Sequence, residues 1–283
     1  MEYDLASNLT HKITANLAAA GKAINYRYDY SRLVQIQYPD NKGNDVSYEY
    51  GAPGAPYNQA GRIAKITDAA GTKEMRYGEL GETVWDQKTI ASHTQGKSAH
   101  SPEIYTTQYA YDSFARLLVL TLPDGEVLTH TYDAGGNLAS ITGLEKAQGG
   151  NTGTGGVTTH YLQTLLYDKF EQRTYLKLGN GVETHYTYNA QNRRLTNLMS
   201  SGQVAGQFQN LNYGYDNVGN VMSLANKVAI PAANSMGGPT SQTFGYDDLY
   251  RLTSAKGAYQ YAPGDRLPRK LSEQIGVPHS YLE

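Results

Sequence analysis

Tyr109-Ala110-Tyr111-Asp112-Ser113-Phe114-Ala115-Arg116-Leu117-Leu118-Val119-Leu120-Thr121-Leu122-Pro123-Asp124-Gly125, followed by a run that closes on Tyr132-Asp133, holds the plan of this chain. Its first part alternates: Tyr105, Thr107, Tyr109 and Tyr111 fall on one face of an extended segment, the signature of a strand. Asp112 opens a turn-prone gap, because an Asp side chain can bond the backbone two residues on. Arg116-Leu117-Leu118-Val119-Leu120 reads as a second strand, and Pro123-Asp124-Gly125 reverses the chain again. Two strands and two turns thus fit in the 21 residues from Tyr111 to Tyr132.

The pattern returns along the whole chain. Tyr-Asp pairs stand at Tyr3-Asp4, Tyr28-Asp29, Tyr111-Asp112, Tyr132-Asp133, Tyr167-Asp168, Tyr215-Asp216 and Tyr246-Asp247. Chance pairing of 25 Tyr with the Asp present in 283 residues gives about one, so this is a repeat and repeats decide the fold first. With Tyr50-Gly51, Tyr77-Gly78 and Tyr188-Asn189 as degenerate members, units start at 3, 28, 50, 77, 111, 132, 167, 188, 215 and 246. Stretches 52–60, 86–104, 145–159 and 230–241, rich in Gly, Ser, Pro and Ala, read as loop insertions. Alternation recurs in Val182, Thr184, Tyr186 and Tyr188 and in Gln209, Leu211, Tyr213 and Tyr215, while helix periodicity is hard to find. The expectation is all-β: one array of stacked hairpins, each too small to be stable alone.

Composition narrows the function classes. Most aromatic surface carries a hydroxyl, with 25 Tyr against 4 Phe and 1 Trp, which suits a sheet wet on at least one face better than a compact core. A net charge of -2 supplies no positive field for nucleic acid. No cysteine is present, which excludes disulfides and thiolate metal sites and leaves the compartment open. The longest aliphatic run, Leu117-Leu118-Val119-Leu120, is far short of the ~18 residues of a membrane span. The start at Met1-Glu2 partway into a unit and the end at Leu282-Glu283 read as an excerpt of a longer protein, whose cut strand edges are expected to pair edge to edge.

The unit Tyr-x-Tyr-Asp, a gap, Arg-Leu, a strand, Asp-Gly and back to Tyr-x-Tyr resembles the Rhs or YD repeat. That family includes bacterial Rhs polymorphic toxins, the B and C components of insecticidal Tc complexes, wall-associated YD-repeat proteins and teneurins. The fullest matches are Tyr26-Arg27-Tyr28-Asp29 with Arg32-Leu33, Tyr109-Ala110-Tyr111-Asp112 with Arg116-Leu117, and Tyr132-Asp133 with Gly135-Gly136-Asn137-Leu138. The resemblance implies a curved or spiral single-layer sheet, part of a hollow shell that encloses a C-terminal toxin or other cargo, in a protein secreted or exported by a bacterial secretion system. Its partners would be neighbouring repeats and that cargo. The chain lacks the family's Asp-Pro-x-Gly core motif, so self-cleavage does not carry over.

Single-site chemistry finds little support. Gly96-Lys97-Ser98 lacks the upstream Gly of a phosphate loop, Ala91 standing in its place. The Gly-rich run 149–156 has the wrong spacing for a dinucleotide site. Seven histidines show no ligand spacing, and His130 and His185 read as ladder-packing residues. The repeated aspartates could be imagined as glycosidase acids, but catalysis needs one copy and turn capping needs all of them. Tyr28, Asp29, Arg32, Tyr111, Asp112, Arg116, Tyr132, Asp133, Tyr167, Asp168, Tyr215, Asp216, Tyr246, Asp247 and Arg251 are therefore expected to be structural, with no catalytic residue, cofactor or metal. The alternative is a binding module whose Tyr faces stack on surface glycans.

Overall fold

The computed structural model describes residues 1–91, 101–145, 156–230, 238–259 and 279–280, and these are nearly all strand. β1 (Glu2–Tyr3), β2 (Leu9–Lys12), β3 (Ile24–Asp29), β4 (Arg32–Gln37), β5 (Val46–Tyr50), β6 (Ile63–Asp68), β7 (Gly71–Tyr77), β8 (Thr83–Ile90), β9 (Glu103–Tyr111), β10 (Leu117–Thr121) and β11 (Val127–Tyr132) form an antiparallel meander. Each strand pairs with the next in sequence. After β12 (Leu138–Leu144) the same rule joins β13 (Thr158–Tyr167), β14 (Arg173–Leu178), β15 (Glu183–Tyr188), β16 (Leu195–Gly202), β17 (Gly206–Tyr215), β18 (Val221–Asn226), β19 (Thr240–Tyr246), β20 (Leu252–Tyr259) and β21 (His279–Ser280). The chain divides into two compact units, Met1–Thr129 with Leu144–Val157, and His130–Gly143 with Thr158–Glu283. The all-β hairpin array expected from the repeats is what forms.

One irregularity recurs in hairpin after hairpin. Tyr111 faces Leu117 and Ala110 faces Val119, which leaves Leu118 without a counterpart. Tyr215 faces Val221 and Gly214 faces Ser223, which leaves Met222. The same single excess falls on Val34, Ala64, Val84, Thr174, Thr196 and Thr253. Each is a β-bulge on the strand that follows the Tyr strand, and each adds local right-handed twist.

The bulge explains a spacing that strict alternation leaves unexplained. Two tyrosines spaced by two face two aliphatic residues spaced by three: Tyr26 and Tyr28 face Ile36 and Leu33, and Tyr48 and Tyr50 face Ile66 and Ile63. Tyr109 and Tyr111 face Leu120 and Leu117, Tyr186 and Tyr188 face Leu198 and Leu195, and Tyr213 and Tyr215 face Leu224 and Val221. Without the extra residue, half of those aliphatic side chains would point to the wrong face. The cross-strand partners of these tyrosines are thus aliphatic side chains. The ring stacking instead runs along the strand, Tyr109 with Tyr111 at 6.5 Å between centroids and Tyr213 with Tyr215 at 6.4 Å.

Three expected loops are shorter than their sequence reading. β8 continues to Ile90 and β9 starts at Glu103, so the 86–104 stretch is partly a hairpin stem whose β-prone residues continue the ladder, and residues 92–100 lie outside the described residues. Thr158 and Thr159 belong to β13 and Thr240 and Ser241 to β19, with 146–155 and 231–237 again outside the described residues. The 52–60 insertion is a run of turns closed by a Gly51–Ala60 bridge. One short helix, α1 (Ala15–Ala19), was missed by periodicity because it is barely a turn long; alanines form it and the Thr14 hydroxyl caps it by accepting from the Leu17 N–H at 3.4 Å. Among the described residues the buried apolar side chains are Leu162, Leu165, Val228 and Ala255, all in the second unit. The described residues of each unit form no large apolar centre, so contacts between successive hairpins carry the stability.

Candidate functional site

The Tyr-Asp turn is the recurring constellation of the chain, and it is built the same way six times. Asp112 closes its loop through the backbone, its N–H donating to the Arg116 carbonyl at 3.0 Å while its carbonyl accepts from the Ala115 N–H at 3.0 Å. Its Oδ1 accepts from the N–H groups of Phe114 at 2.9 Å and Arg116 at 3.0 Å, and its Oδ2 accepts from Arg116 Nε at 2.7 Å. Asp247 repeats this with Leu249 and Arg251, the Nε–Oδ2 distance again being 2.7 Å. Asp216 takes the N–H groups of Val218, Gly219 and Asn220 on Oδ1 and the Asn220 amide on Oδ2 at 2.7 Å. Asp168 accepts from Phe170 and Gln172, Asp133 from Asn137, and Asp4 from Ala6 and Asn8.

All six loops have three residues between Asp and the next strand's polar residue, and the third takes positive φ. Gly136 and Gly219 adopt it freely, whereas Ser7, Ala115, Glu171 and Tyr250 hold it at φ of 58 to 65°. This is the three-residue hairpin ending in a left-handed residue. The steric cost at the four non-glycine positions is offset by the carboxylate, which pins the neighbouring N–H groups.

Asp29 differs. Its gap to Arg32 is two residues, Tyr30 takes φ 54°, and Asp29 pairs with Arg32 inside the ladder. A two-residue loop ends before an i+4 N–H can swing over the carboxylate, so the expected capping role at Asp29 is corrected to a strand position. At Gly78, whose loop keeps the closure from Gly78 N–H to the Glu82 carbonyl at 2.8 Å, an added side chain would collide with Glu82 Oε1. The Glu82 carboxyl occupies the space that Asp fills elsewhere.

The carboxylates of Asp4, Asp112, Asp216 and Asp247 are held in their charged form. Desolvation raises the Asp112 and Asp216 carboxyls, but the donors from Arg116 in one, and from Asn220, Gly219 and Val218 in the other, outweigh it and leave both below the ordinary aspartate value. Asp247 is lowered by the Arg251 N–H first, against desolvation, with the Arg251 guanidinium and the Leu249 N–H adding to it. Asp4 is lowered chiefly by the Asn8 side chain and N–H. A depressed carboxyl whose oxygens are both engaged is a poor proton donor at neutral pH.

Sequence reasoning missed how the tyrosines tie one unit to the next. Tyr50 Oη donates to the Leu33 carbonyl at 3.1 Å, Tyr77 to Ile63 at 2.7 Å, Tyr167 to Leu138 at 3.1 Å, Tyr215 to Leu195 at 2.9 Å and Tyr246 to Val221 at 3.1 Å. Each acceptor is the first aliphatic residue after the polar residue of the preceding unit, next to its bulge where that register is described. Arginines work in the same direction: Arg32 lies 5.5 Å from the Tyr50 ring centroid, Arg62 5.6 Å from Tyr77 and Arg194 5.7 Å from Tyr215. Arg194 also donates to the Asp216 carbonyl at 2.7 Å. Arginine at the turn thus has two uses, pairing with its own Asp at Arg116 and Arg251 and reaching the next unit at Arg32, Arg62 and Arg194. The recurrence of Tyr in the sequence could signal such a tie, but its acceptor is a backbone carbonyl, invisible to residue patterns.

Three further features complete the picture. Asp86, 9% exposed, accepts from Tyr109 Oη at 2.8 Å with Lys73 Nζ at 3.6 Å, and desolvation and this bond push the Tyr109 hydroxyl up to about 12. His185 packs on Tyr175 across the ladder, 5.0 Å between ring centroids. A cleft of about 330 Å³ lies between two turns of the second unit, lined by Asn189, Asn192, Arg194, Tyr215 and Asn217.

The Tyr-strand, turn and second strand expected from the sequence recur as antiparallel hairpins in the structure. The chain is similar to subunits of toxin complexes, consistent with repeats of the Rhs or YD type. No family model matches the YD-repeat array. Toxin subunit YenC1 of Yersinia entomophaga is 33% identical over 163 residues, 56% of this chain and 16% of the subunit. Toxin subunit YenC2 of the same organism is 28% identical over 249 residues, 86% of this chain and 22% of the subunit. The array therefore spans about a fifth of the length of these curated relatives. In fold it is similar to a crystal structure of TcdB2-TccC3-TEV, with a TM-score of 0.68 at 24% identity over 90% of this chain and 13% of that one. It is also similar to a Photorhabdus luminescens Tc holotoxin pore, with a TM-score of 0.64 at 22% identity over 90% of this chain and 15% of that one.

Proposed function

We propose that this YD-repeat array is wall material of a toxin complex: a non-enzymatic segment of a β-shell that encloses a C-terminal toxin or other cargo until delivery. The observation that carries the reading is the use to which the repeated groups are put. Six Asp carboxylates cap six copies of one loop, and five Tyr hydroxyls bind backbone carbonyls of the preceding unit. Groups spent on construction in every copy are not arranged as one reactive centre. The similarity to Tc toxin subunits supports placing that construction in a toxin complex, and export from the producing bacterium goes with it. The mechanism is steric: closed hydrogen-bond ladders bar proteases and keep cargo apart from its surroundings.

Glycan binding is the weaker reading, because the hydroxyls and three of the ring faces it would need are engaged within the array. Protease protection tests the proposal. The full-length product of the gene that carries this stretch, treated with proteinase K, should leave a resistant shell with intact cargo peptides inside it. Cargo cut as fast in the native protein as in denaturant would end the encapsulation reading, and one dominant sugar class on a glycan array would favour the other.

A further inference from the structure

The Asp cap of each turn also fixes the orientation of an apolar side chain. The N–H pinned by Oδ1 belongs to the second loop residue, which is Phe114, Phe170, Val218 or Leu249 in four of the six loops. Those side chains are 79, 48, 58 and 69% exposed. A flexible loop would cost entropy to order on binding, whereas a capped one presents its anchor ready. In an antiparallel meander alternate turns lie on one edge, so the turns after β13, β15, β17 and β19 form a row at intervals of about 9–10 Å.

The row in the second unit is self-complementary under a two-fold axis. In order it presents Lys169 and Phe170, with the Arg193 guanidinium of the next turn over one face of the Phe170 ring, then the loop from Asn189 to Arg194 with no large apolar residue, then Val218, then Asp248 with Leu249 and Tyr250. The 330 Å³ cleft lies between the two middle turns, at the centre of the row. Turned end for end against itself, the row sets Phe170 on Leu249 and Tyr250, sets Lys169 opposite Asp248, and brings Val218 to the cleft beside Asn189. We infer that this edge docks a second copy of the same edge, forming an isologous contact whose anchors are Phe170, Val218 and Leu249.

The absence of cysteine from the sequence makes the geometry directly testable. A Lys169→Cys, Asp248→Cys variant, mildly oxidised, should give a covalent dimer, as should an equimolar mixture of single Gln191→Cys and Val218→Cys chains. In sedimentation, Leu249→Ser and Val218→Asp should each weaken association about tenfold or more with the circular dichroism spectrum unchanged. Lys169→Asp should weaken it too, and Lys169→Asp with Asp248→Lys should restore it. A monomer at the highest soluble concentration overturns the inference. So does a dimer indifferent to the loop variants, which would mean pairing through strand edges, or loss of binding to phosphatidylcholine vesicles in those variants, which would mean a lipid surface. None of these outcomes bears on protection of cargo, so the two readings fail separately.

Discussion

At the scale of the residue, the aspartate cap makes separable predictions. Ala115 holds φ 58° inside a capped loop, so Ala115→Gly should stabilise the protein by about 0.5 kcal/mol, the relief of left-handed strain exceeding the entropy lost by glycine. A thermal melt in which Ala115→Gly lowers stability would mean that the conformation is not strained. The carboxyls of Asp4, Asp112, Asp216 and Asp247 lie below the ordinary value, so the stability they contribute is complete above an unfolded-chain pKa of about 3.9 and drains away as pH falls through their lower folded values. The melting temperature should hardly change between about pH 7 and 5 and should drop below about 4. An Asp112→Asn, Asp216→Asn, Asp247→Asn protein should start lower at neutral pH and lose less on acidification; an unchanged acid limb would refute the assignment. The capping itself was legible, since Asp before a turn-prone gap has few other uses. The arginines were only half legible: the sequence places Arg116 and Arg194 alike at the strand entrance, yet one turns back to its Asp and the other forward to Tyr215.

At the scale of the element, loop length decides whether a cap forms. Inserting one glycine between Ser31 and Arg32 gives the Asp29 loop the three residues of its siblings and a last position suited to positive φ. Melting should hold or rise, and the Arg32 amide should gain protection from hydrogen exchange; a fall in melting temperature would mean that the ladder pair between Asp29 and Arg32 is worth more than the cap. Strands were easy to read where Tyr or Thr recurs at every second residue, as in β9 and β15, and where Tyr213 and Tyr215 close β17. The bulges were not, because Leu117-Leu118-Val119-Leu120 and its like are aliphatic on both parities and hide the extra residue. A spacing of three set against two betrays it, as in Leu195 and Leu198 against Tyr186 and Tyr188. Helix α1 escaped because five residues cannot display a period.

At the scale of the whole molecule, cohesion comes from neighbour to neighbour, and the hydroxyl ties are its polar part. Tyr215→Phe keeps the ring against Val221 and removes only the bond to the Leu195 carbonyl, so it should cost about 0.5–1.5 kcal/mol in denaturant unfolding. An unchanged midpoint would mean that water replaces the bond without loss. The hairpin and the shortage of apolar burial could both be read from Tyr abundance and Tyr-Asp recurrence. The division into two compact units could not, since nothing in the spacing near Thr129 departs from its surroundings. Each cap lies wholly within five consecutive residues, and each tie asks of the preceding unit only a main-chain oxygen, which every amino acid supplies. A genetic duplication or loss that breaks at corresponding points of two units would therefore leave every surviving turn intact and every seam chemically matched, so such a chain can change its length over evolutionary time without having to be redesigned.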